Sequence, residues 1–205
     1  MADKKLIMFD FDGVLVNTLQ MCFDINAEAD TDITLPQYQA LFSGNIMEMV
    51  KKTGFKGNPN FFGRYAEESR RVTIPEEMKK LVRKYAGTHT LSIISGSETS
   101  SILDVVVREG IADCFADVLG YDVDPQKTVR IKTLLKQYDA LPDDALFITD
   151  TSGDVYEAAE CEVPAVAVTW GFQDKETLTK SAPMAFADTA QELDTIIAEY
   201  FSGTM

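Results

Sequence analysis

Residues 5–18, KLIMFDFDGVLVNT, run apolar from Leu6 to Phe9 and then place two carboxylates, Asp10 and Asp12, on either side of one phenylalanine. Polar groups close three other apolar runs. Ser95 and Gly96 end HTLSIISGS, Asp117 stands near DVLG, and Asp150 and Asp154 follow DALFIT. In an open parallel α/β sheet, ligands bind beyond the carboxyl ends of the strands, so these clusters would meet at one edge. Gathering carboxylates there is costly unless a proton or a cation shares them. Mg²⁺ fits that need, because it takes hard oxygen ligands, usually one or two carboxylates completed by water and substrate phosphate oxygens. No soft ligands are gathered beside these acids.

The elements that must hold these groups follow from periodicity. After residue 74, amphipathic helices alternate with short apolar runs. Met78, Leu81, Val82 and Tyr85 fall at helical spacing behind Pro75, which is expected in the first turn. Ile102, Leu103, Val105 and Val106 mark a second helix that Gly110 stops, and Ile131, Leu134, Leu135 and Tyr138 mark a third. Leu193, Ile196, Ile197, Tyr200 and Phe201 predict a final one. Between them lie the strand runs HTLSII, DVLG, DALFIT and PAVAV. Such alternation predicts an α/β fold, a Rossmann-like doubly wound parallel sheet with helices on both faces. The near-continuous apolar runs LIMF and AVAV agree, since strands covered on both faces need no polar alternation.

Residues 16–73 break the rhythm. Helix-like stretches occur near 19–29, 38–42, 46–52 and 61–71, with no strand among them. The expected organisation is therefore an α/β core of residues 1–15 and 74–205, with a helical cap of residues 16–73 inserted after the first strand. Phe55, Phe61 and Phe62 are expected to pack within that cap.

With 45% hydrophobic and 25% charged residues among 205, the composition is that of a soluble globular protein. No run approaches the ~18 apolar residues of a membrane span, and the first apolar run is too short for a signal peptide, so a cytoplasmic location is expected. The formal charge of −14 disfavours nucleic acid as a partner. Its distribution is uneven: residues 43–84 carry ten Lys or Arg against five Glu, leaving nine basic and 28 acidic residues elsewhere. A relatively basic segment beside an acidic body would draw in small anions. Cys22, Cys114 and Cys161 show no paired spacing, as expected of reduced thiols, and the single histidine, His89, weakens any Ser-His-Asp or His-rich metal reading.

DFDGVLVNT, IISGS, Lys127 and ITDTSGD, in this order, resemble the four motifs of the haloacid dehalogenase superfamily. AVTWGF resembles the strand-five ending of its phosphoglycolate-phosphatase-like members, so the likeness is to the subgroup with a helical cap that also includes β-phosphoglucomutase-like proteins. The resemblance implies that Asp10 is a nucleophile forming an aspartyl-phosphate and Asp12 the general acid and base. It implies that Ser95, the N–H of Gly96 and Lys127 hold the transferring phosphoryl group. Asp10, the carbonyl of Asp12 and Asp150 would ligate Mg²⁺, and Asp154 would orient a metal-bound water or the lysine. Dehalogenating members lack an acid at the position of Asp12, so phosphate ester hydrolysis is favoured. Three positions depart from the pattern: Asn17 replaces an aspartate, Thr149 a glycine, and Thr128 follows the lysine where proline is common. Lys132 and Lys136 share the predicted helix of Lys127.

The resemblance also implies that the cap closes over the site and reads the substrate beyond its phosphate. Gly44, following Ser43, begins a turn where related caps carry a specificity loop. Lys51, Lys52, Arg64, Arg70 and Arg71 are candidate contacts to a second acidic group, which points to a small anionic phosphorylated metabolite. The expected activity is that of a Mg²⁺-dependent phosphomonoester hydrolase, monomeric or a weak homodimer. A phosphomutase of the β-phosphoglucomutase kind, or a non-catalytic phosphate-binding regulator on the same fold, remain the alternatives.

Overall fold

The computed structural model describes residues 5–29 and 31–204. Strand β1 (Leu6–Phe9) leads into four inserted helices, α1 (Leu19–Ala27), α2 (Leu35–Ala40), α3 (Ile46–Thr53) and α4 (Phe61–Glu68), closed by a short 3₁₀ turn (Ser69–Arg71). The remainder alternates α5 (Glu76–Ala86), β2 (Thr90–Ile94), α6 (Thr99–Arg108), β3 (Asp117–Leu119), α7 (Lys127–Tyr138), β4 (Ala145–Thr149) and α8 (Ser152–Ala159). It ends with β5 (Ala165–Val168), α9 (Lys175–Thr179), β6 (Ala185–Ala187) and α10 (Ala190–Ser202).

All six strands pair in parallel in the order β3-β2-β1-β4-β5-β6. Successive side chains of a strand point to opposite faces, and β1 uses both. Ile7 and Phe9 join a core with Met78, Val82, Ile102, Val105 and Leu193 from α5, α6 and α10. Leu6 and Met8 enter a second core with Ile131, Leu134, Val155 and Ala158 from α7 and α8. All four β1 side chains are fully buried, which is why the run carries no polar residue. From β1 the chain moves outward through β2 and β3, then returns to the other side of β1 as β4. The crevice at that reversal opens beyond the carboxyl ends of β1 and β4, and Asp10 and Asp150 are the residues that follow those strands.

Some elements depart from the sequence reading. β6 and α9, three and five residues long, were not anticipated because neither spans enough residues to show a period. Pro75 is the extended N-cap of α5, one residue before the helix begins. Helix α2 starts at Leu35, ahead of the expected stretch, because Thr34 and Gln37 form a reciprocal capping box with Pro36 in the first turn. Asp117 opens β3 and accepts a hydrogen bond from the Tyr138 hydroxyl, so it lies at the opposite end of the sheet from Asp10 and Asp150.

The insertion has its own apolar centre, Cys22, Ile25, Tyr38, Leu41 and Tyr65, completed by Phe172 from the loop after β5. The ring of Phe172 meets that of Phe42 edge-on at 5.1 Å, and Phe62 stacks on Tyr121 at 5.5 Å. Polar anchors accompany these contacts. The Gly153 N–H donates to the Phe42 carbonyl at 2.9 Å, and Gln173 Nε2 donates to Gln39 O at 3.2 Å and Ser43 Oγ at 3.1 Å. A Cβ on Gly153 would stand 2.4 Å from the Gly44 carbonyl, so the close seating of insertion on sheet requires glycine there. Among the described residues no helix is long and apolar enough to cross a membrane. Cys22 and Cys161 are buried free thiols, and Cys114 is half-buried.

His89 sits far from the crevice, its ring 5.2 Å from that of Tyr85 and 4.8 Å from that of Phe201. Burial, helped by Lys5, holds its pKa below the ordinary histidine value. The unfolded chain therefore takes up a proton first as pH falls below about 6.5, and the contribution of the neutral ring, present above that pH, is lost toward the folded-state pKa. Between pH 7 and pH 5 the fall in Tm is expected to be smaller in His89→Phe than in the parent, by about 1–3 °C in calorimetry. Equal falls in the two proteins would show that the ring carries none of the acid sensitivity.

Candidate active site

The backbone continues past β1 in strand register, with the Asp10 N–H donating to Ile148 O at 2.8 Å. Alternation then buries Phe11 completely in the core and returns Asp12 to the side of Asp10. The chain turns at Gly13, whose φ is +76°, and the turn closes through Gly13 N to Val16 O at 2.8 Å and Leu15 N to Phe11 O at 2.9 Å. A Cβ at Gly13 would fall 1.8 Å from Asp150 Oδ2, and one at Gly171 would fall 2.3 Å from Asp150 Cβ. Two glycines thus let the loops after β1 and β5 close around one carboxylate.

Lys127, the first residue of α7, is the cation of this crevice. Its Nζ donates to Asp10 Oδ2 and to Asp154 Oδ2, each at 2.6 Å, and lies 5.6 Å from the centre of the Phe147 ring. Lys132 and Lys136 are exposed, so of the three lysines on α7 only Lys127 reaches the acids. Burial by itself would push the Lys127 ammonium down, but the attraction of Asp10 and Asp154 outweighs it and holds the group above the usual lysine range. The same charge, against the pull of burial, holds Asp154 below the usual carboxylate range, with hydrogen bonds from Lys127 and from Thr149 Oγ1 at 2.7 Å. The departure at Thr149 therefore directs its hydroxyl to Asp154. Burial pushes Asp10 well up despite Lys127, and it pushes Asp150 up to about 7 despite the Phe172 N–H that donates to Oδ2 at 2.6 Å. Asp150 Oδ1 is buried with no hydrogen-bond partner.

Asp12 faces a ring of hydroxyl groups. Thr18 Oγ1 and Tyr65 OH donate to Oδ1, both at 2.6 Å, while Ser97 Oγ at 2.7 Å and Ser95 Oγ at 3.3 Å donate to Oδ2. Ser95 is fully buried and its Oγ also accepts from Ser97 N at 3.1 Å, so it shapes the turn from beneath, while Gly96 and Ser97 line the open space. Tyr65, Ser97 and Arg130 are site residues the sequence reading did not name. Arg130, one helical turn after Lys127, donates through Nη1 to the carbonyls of Ser95 and Leu119 and so ties the ends of β2 and β3; its Nε has no partner. The spacing Lys-x-x-Arg on one face of α7 is the signal that would have found it.

These groups form the floor of a cavity of about 310 Å³, roofed by the insertion through Leu41, Phe42, Ile46, Val50, Phe61 and Phe62, among others. Of the cap residues nominated from sequence, Gly44 lines this space. The other cap residues nominated from sequence do not. Lys51 and Lys52 are exposed on α3, Arg64 pairs with Glu28 at 2.5 Å and Glu68 at 3.8 Å, and Arg70 and Arg71 face solvent. Amphipathicity is the reason: α3 and α4 turn their apolar stripes toward the cavity, which leaves the cations on the opposite face.

Five carboxylates line the cavity, Asp10, Asp12, Asp150, Asp154 and Glu157, against two cations, Lys127 and Arg130. That excess, with the orphaned oxygen of Asp150, matches a site that takes up a cation. Among the described residues no three acidic, thiol or imidazole side chains converge closely enough to hold a metal by themselves. An ion here would have at most two carboxylates and would complete its shell with carbonyl, water or substrate oxygens, which is the habit of Mg²⁺ rather than of Zn²⁺ or Ca²⁺.

Known proteins resemble this chain over nearly its full length. A phosphoglycolate phosphatase of Vibrio parahaemolyticus is 22% identical, covering 96% of this chain and 97% of its own length. One from Synechococcus elongatus is 25% identical, over 92% and 95% of the two chains. Among solved structures, a haloacid dehalogenase-like hydrolase from Streptococcus pneumoniae superposes with a TM-score of 0.74 at 21% identity, over 96% of this chain and 100% of its own. One from Deinococcus radiodurans, solved with bound phosphate and sodium, gives 0.67 at 15% identity over 98% of each chain. The family model for haloacid dehalogenase-like hydrolases matches residues 7–168, which span β1, the insertion and every strand through β5, and the chain belongs to that family.

Proposed function

We propose that the protein is a Mg²⁺-dependent phosphomonoester hydrolase of a small phosphorylated metabolite, working through an aspartyl-phosphate on Asp10. One observation carries the reading: Lys127 joins Asp10 to Asp154 beside the unpartnered oxygen of Asp150, inside a crevice that the insertion covers. The names of the distant relatives, phosphoglycolate phosphatases, support the phosphate ester class. Mg²⁺, held by the Asp10 and Asp150 carboxylates and the Asp12 carbonyl, would offset phosphoryl charge and leave Asp10 free to react.

The remaining chemistry belongs to side chains of this chain. A carboxylate oxygen of Asp10 attacks phosphorus as the bond to the alcohol breaks, and Asp12 gives a proton to the departing oxygen. Asp12 then takes a proton from water, the water oxygen attacks phosphorus, and cleavage of the bond to Asp10 releases inorganic phosphate. Lys127 sets a compact positive charge against the phosphoryl oxygens, and Gly96 and Ser97 border the same space. Tyr65 reaches Asp12 from α4, so the acid is oriented by the insertion as well as by the sheet. The apolar roof keeps bulk water from the phosphorylated aspartate until the alcohol has left.

Purified protein is expected to release phosphate from p-nitrophenyl phosphate with Mg²⁺ and to stop on addition of EDTA. Asp10→Asn is expected to abolish release, and Asp12→Asn to slow it by roughly 10²–10⁴-fold. Full activity in Asp10→Asn would exclude the aspartyl-phosphate. Asp150→Asn removes a buried charge with an orphaned oxygen, so in EDTA its Tm is expected to exceed that of the parent by about 2–4 °C, as a gain of about 1 kcal/mol gives in a chain of this size. The upward shift that Mg²⁺ produces in the parent should vanish in the same variant. A lower Tm without metal would mean that the Asp150 charge is already compensated by the protein.

A further inference from the structure

We propose that the alcohol half of the substrate is apolar and uncharged, a small aryl or short alkyl group, and that the insertion discriminates against a second anionic group. This rests on the phosphomonoester hydrolase reading and goes beyond it by assigning the leaving group.

The cavity has two chemically distinct halves. Among the described residues, every charged side chain that lines it comes from the sheet side. The insertion contributes mainly Tyr38, Leu41, Phe42, Val50, Phe61 and Phe62, and among the described residues no Lys, Arg, Asp or Glu. Its cations are engaged or exposed on the outer surface, as Arg64 with Glu28 and Glu68 shows.

The two cations of the cavity both belong to the floor, on the phosphate side. Lys127 is shared by two carboxylates, and Arg130 spends Nη1 on two backbone carbonyls while its Nε is closed off from the open space. A substrate carboxylate lodged under the roof would lose its water, meet no cation of the roof and face the carboxylates of the floor, which is the costly form of charge burial.

What the roof does offer is neutral. Burial, and then the nearby Asp12 charge, push the Cys22 thiol well up. Burial likewise pushes the Tyr38 hydroxyl up, and that oxygen accepts from Asn26 Nδ2 at 3.4 Å. Asn26 is otherwise bound to the Cys22 carbonyl at 2.9 Å and the Asn58 N–H at 3.0 Å. Around these few polar atoms the rings meet edge to face, Tyr38 with Phe42 at 5.4 Å and Phe61 with Phe62 at 5.6 Å, an arrangement that a further aromatic ring can join. A volume of about 310 Å³ is at the lower end for ligand cavities, which suits a small alcohol.

The test compares kcat/KM for phenyl phosphate, 4-carboxyphenyl phosphate and phosphoglycolate at neutral pH and saturating Mg²⁺, the aryl pair having leaving groups of similar acidity. Phenyl phosphate is expected to exceed both carboxylated esters by roughly 10- to 100-fold, the discrimination an apolar pocket achieves. In Val50→Lys, where an ammonium is added to the half-buried roof face of α3, the ratio is expected to fall at least tenfold through better use of 4-carboxyphenyl phosphate. Equal or better turnover of the carboxylated esters by the parent would overturn the leaving-group assignment while leaving the hydrolase reading intact. Failure to hydrolyse any of the three with Mg²⁺ would overturn both.

Discussion

The attraction between one buried ammonium and two buried carboxylates organises this molecule. Lys127 is 7% exposed and Asp10 and Asp154 are 5% and 6% exposed, so none of the three is hydrated enough to be stable alone. Each comes from a different element, the end of β1, the start of α7 and the first turn of α8. Holding them at 2.6 Å therefore sets how α7 and α8 sit over the carboxyl end of the sheet. Asp150 lies in the same low-dielectric space without a lysine of its own, and its raised pKa and unpartnered oxygen express the negative charge that remains. Strongly shifted carboxylates gathered in one crevice are the pattern of a functional site rather than of a structural core.

The insertion roofs that crevice and seats on the sheet through close backbone contacts. Gly153 admits the carbonyls of residues 42 and 44 where a side chain would not fit, and Gln173 bonds Gln39 and Ser43 across the same seam. Phe172 belongs to the loop after β5 yet completes the apolar centre of the insertion. The same loop supplies the N–H that holds Asp150, so the seating of the roof and the placement of that carboxylate are mechanically linked. With Tyr65 donating to Asp12 and Asn45 Nδ2 to Glu157 at 3.1 Å, two of the acids are bonded to the insertion directly.

The contrast between the halves of the cavity has the same origin. Parallel strands present loop backbone and short polar side chains at their carboxyl ends, whereas amphipathic helices present an apolar stripe inward and charges outward. The charge count of residues 43–84 is real, but four of its ten cations, Lys79, Lys80, Arg83 and Lys84, belong to α5 of the core, and those of the insertion sit on its outer surface. A local sum of charge does not say which face carries it, and for Lys51, Lys52 and Arg64 the facing decides the chemistry.

By itself the chain determined the alternation of strands and helices, the helical nature of residues 16–73, and the acids and serine at strand ends, because periodicity and turn chemistry are local and the four motifs stand in a readable order. Tertiary structure alone decided which of Lys127, Lys132 and Lys136 meets the acids, that Thr149 turns its hydroxyl to Asp154, that Ser97, Tyr65 and Arg130 complete the site, and that the roof is apolar. It also decided where the short β6 forms, since three residues become a strand only through pairing with β5. The physical reason is common to all of these: they depend on which face of an element is turned toward a neighbour distant in the chain, and that orientation is set by packing across the whole fold.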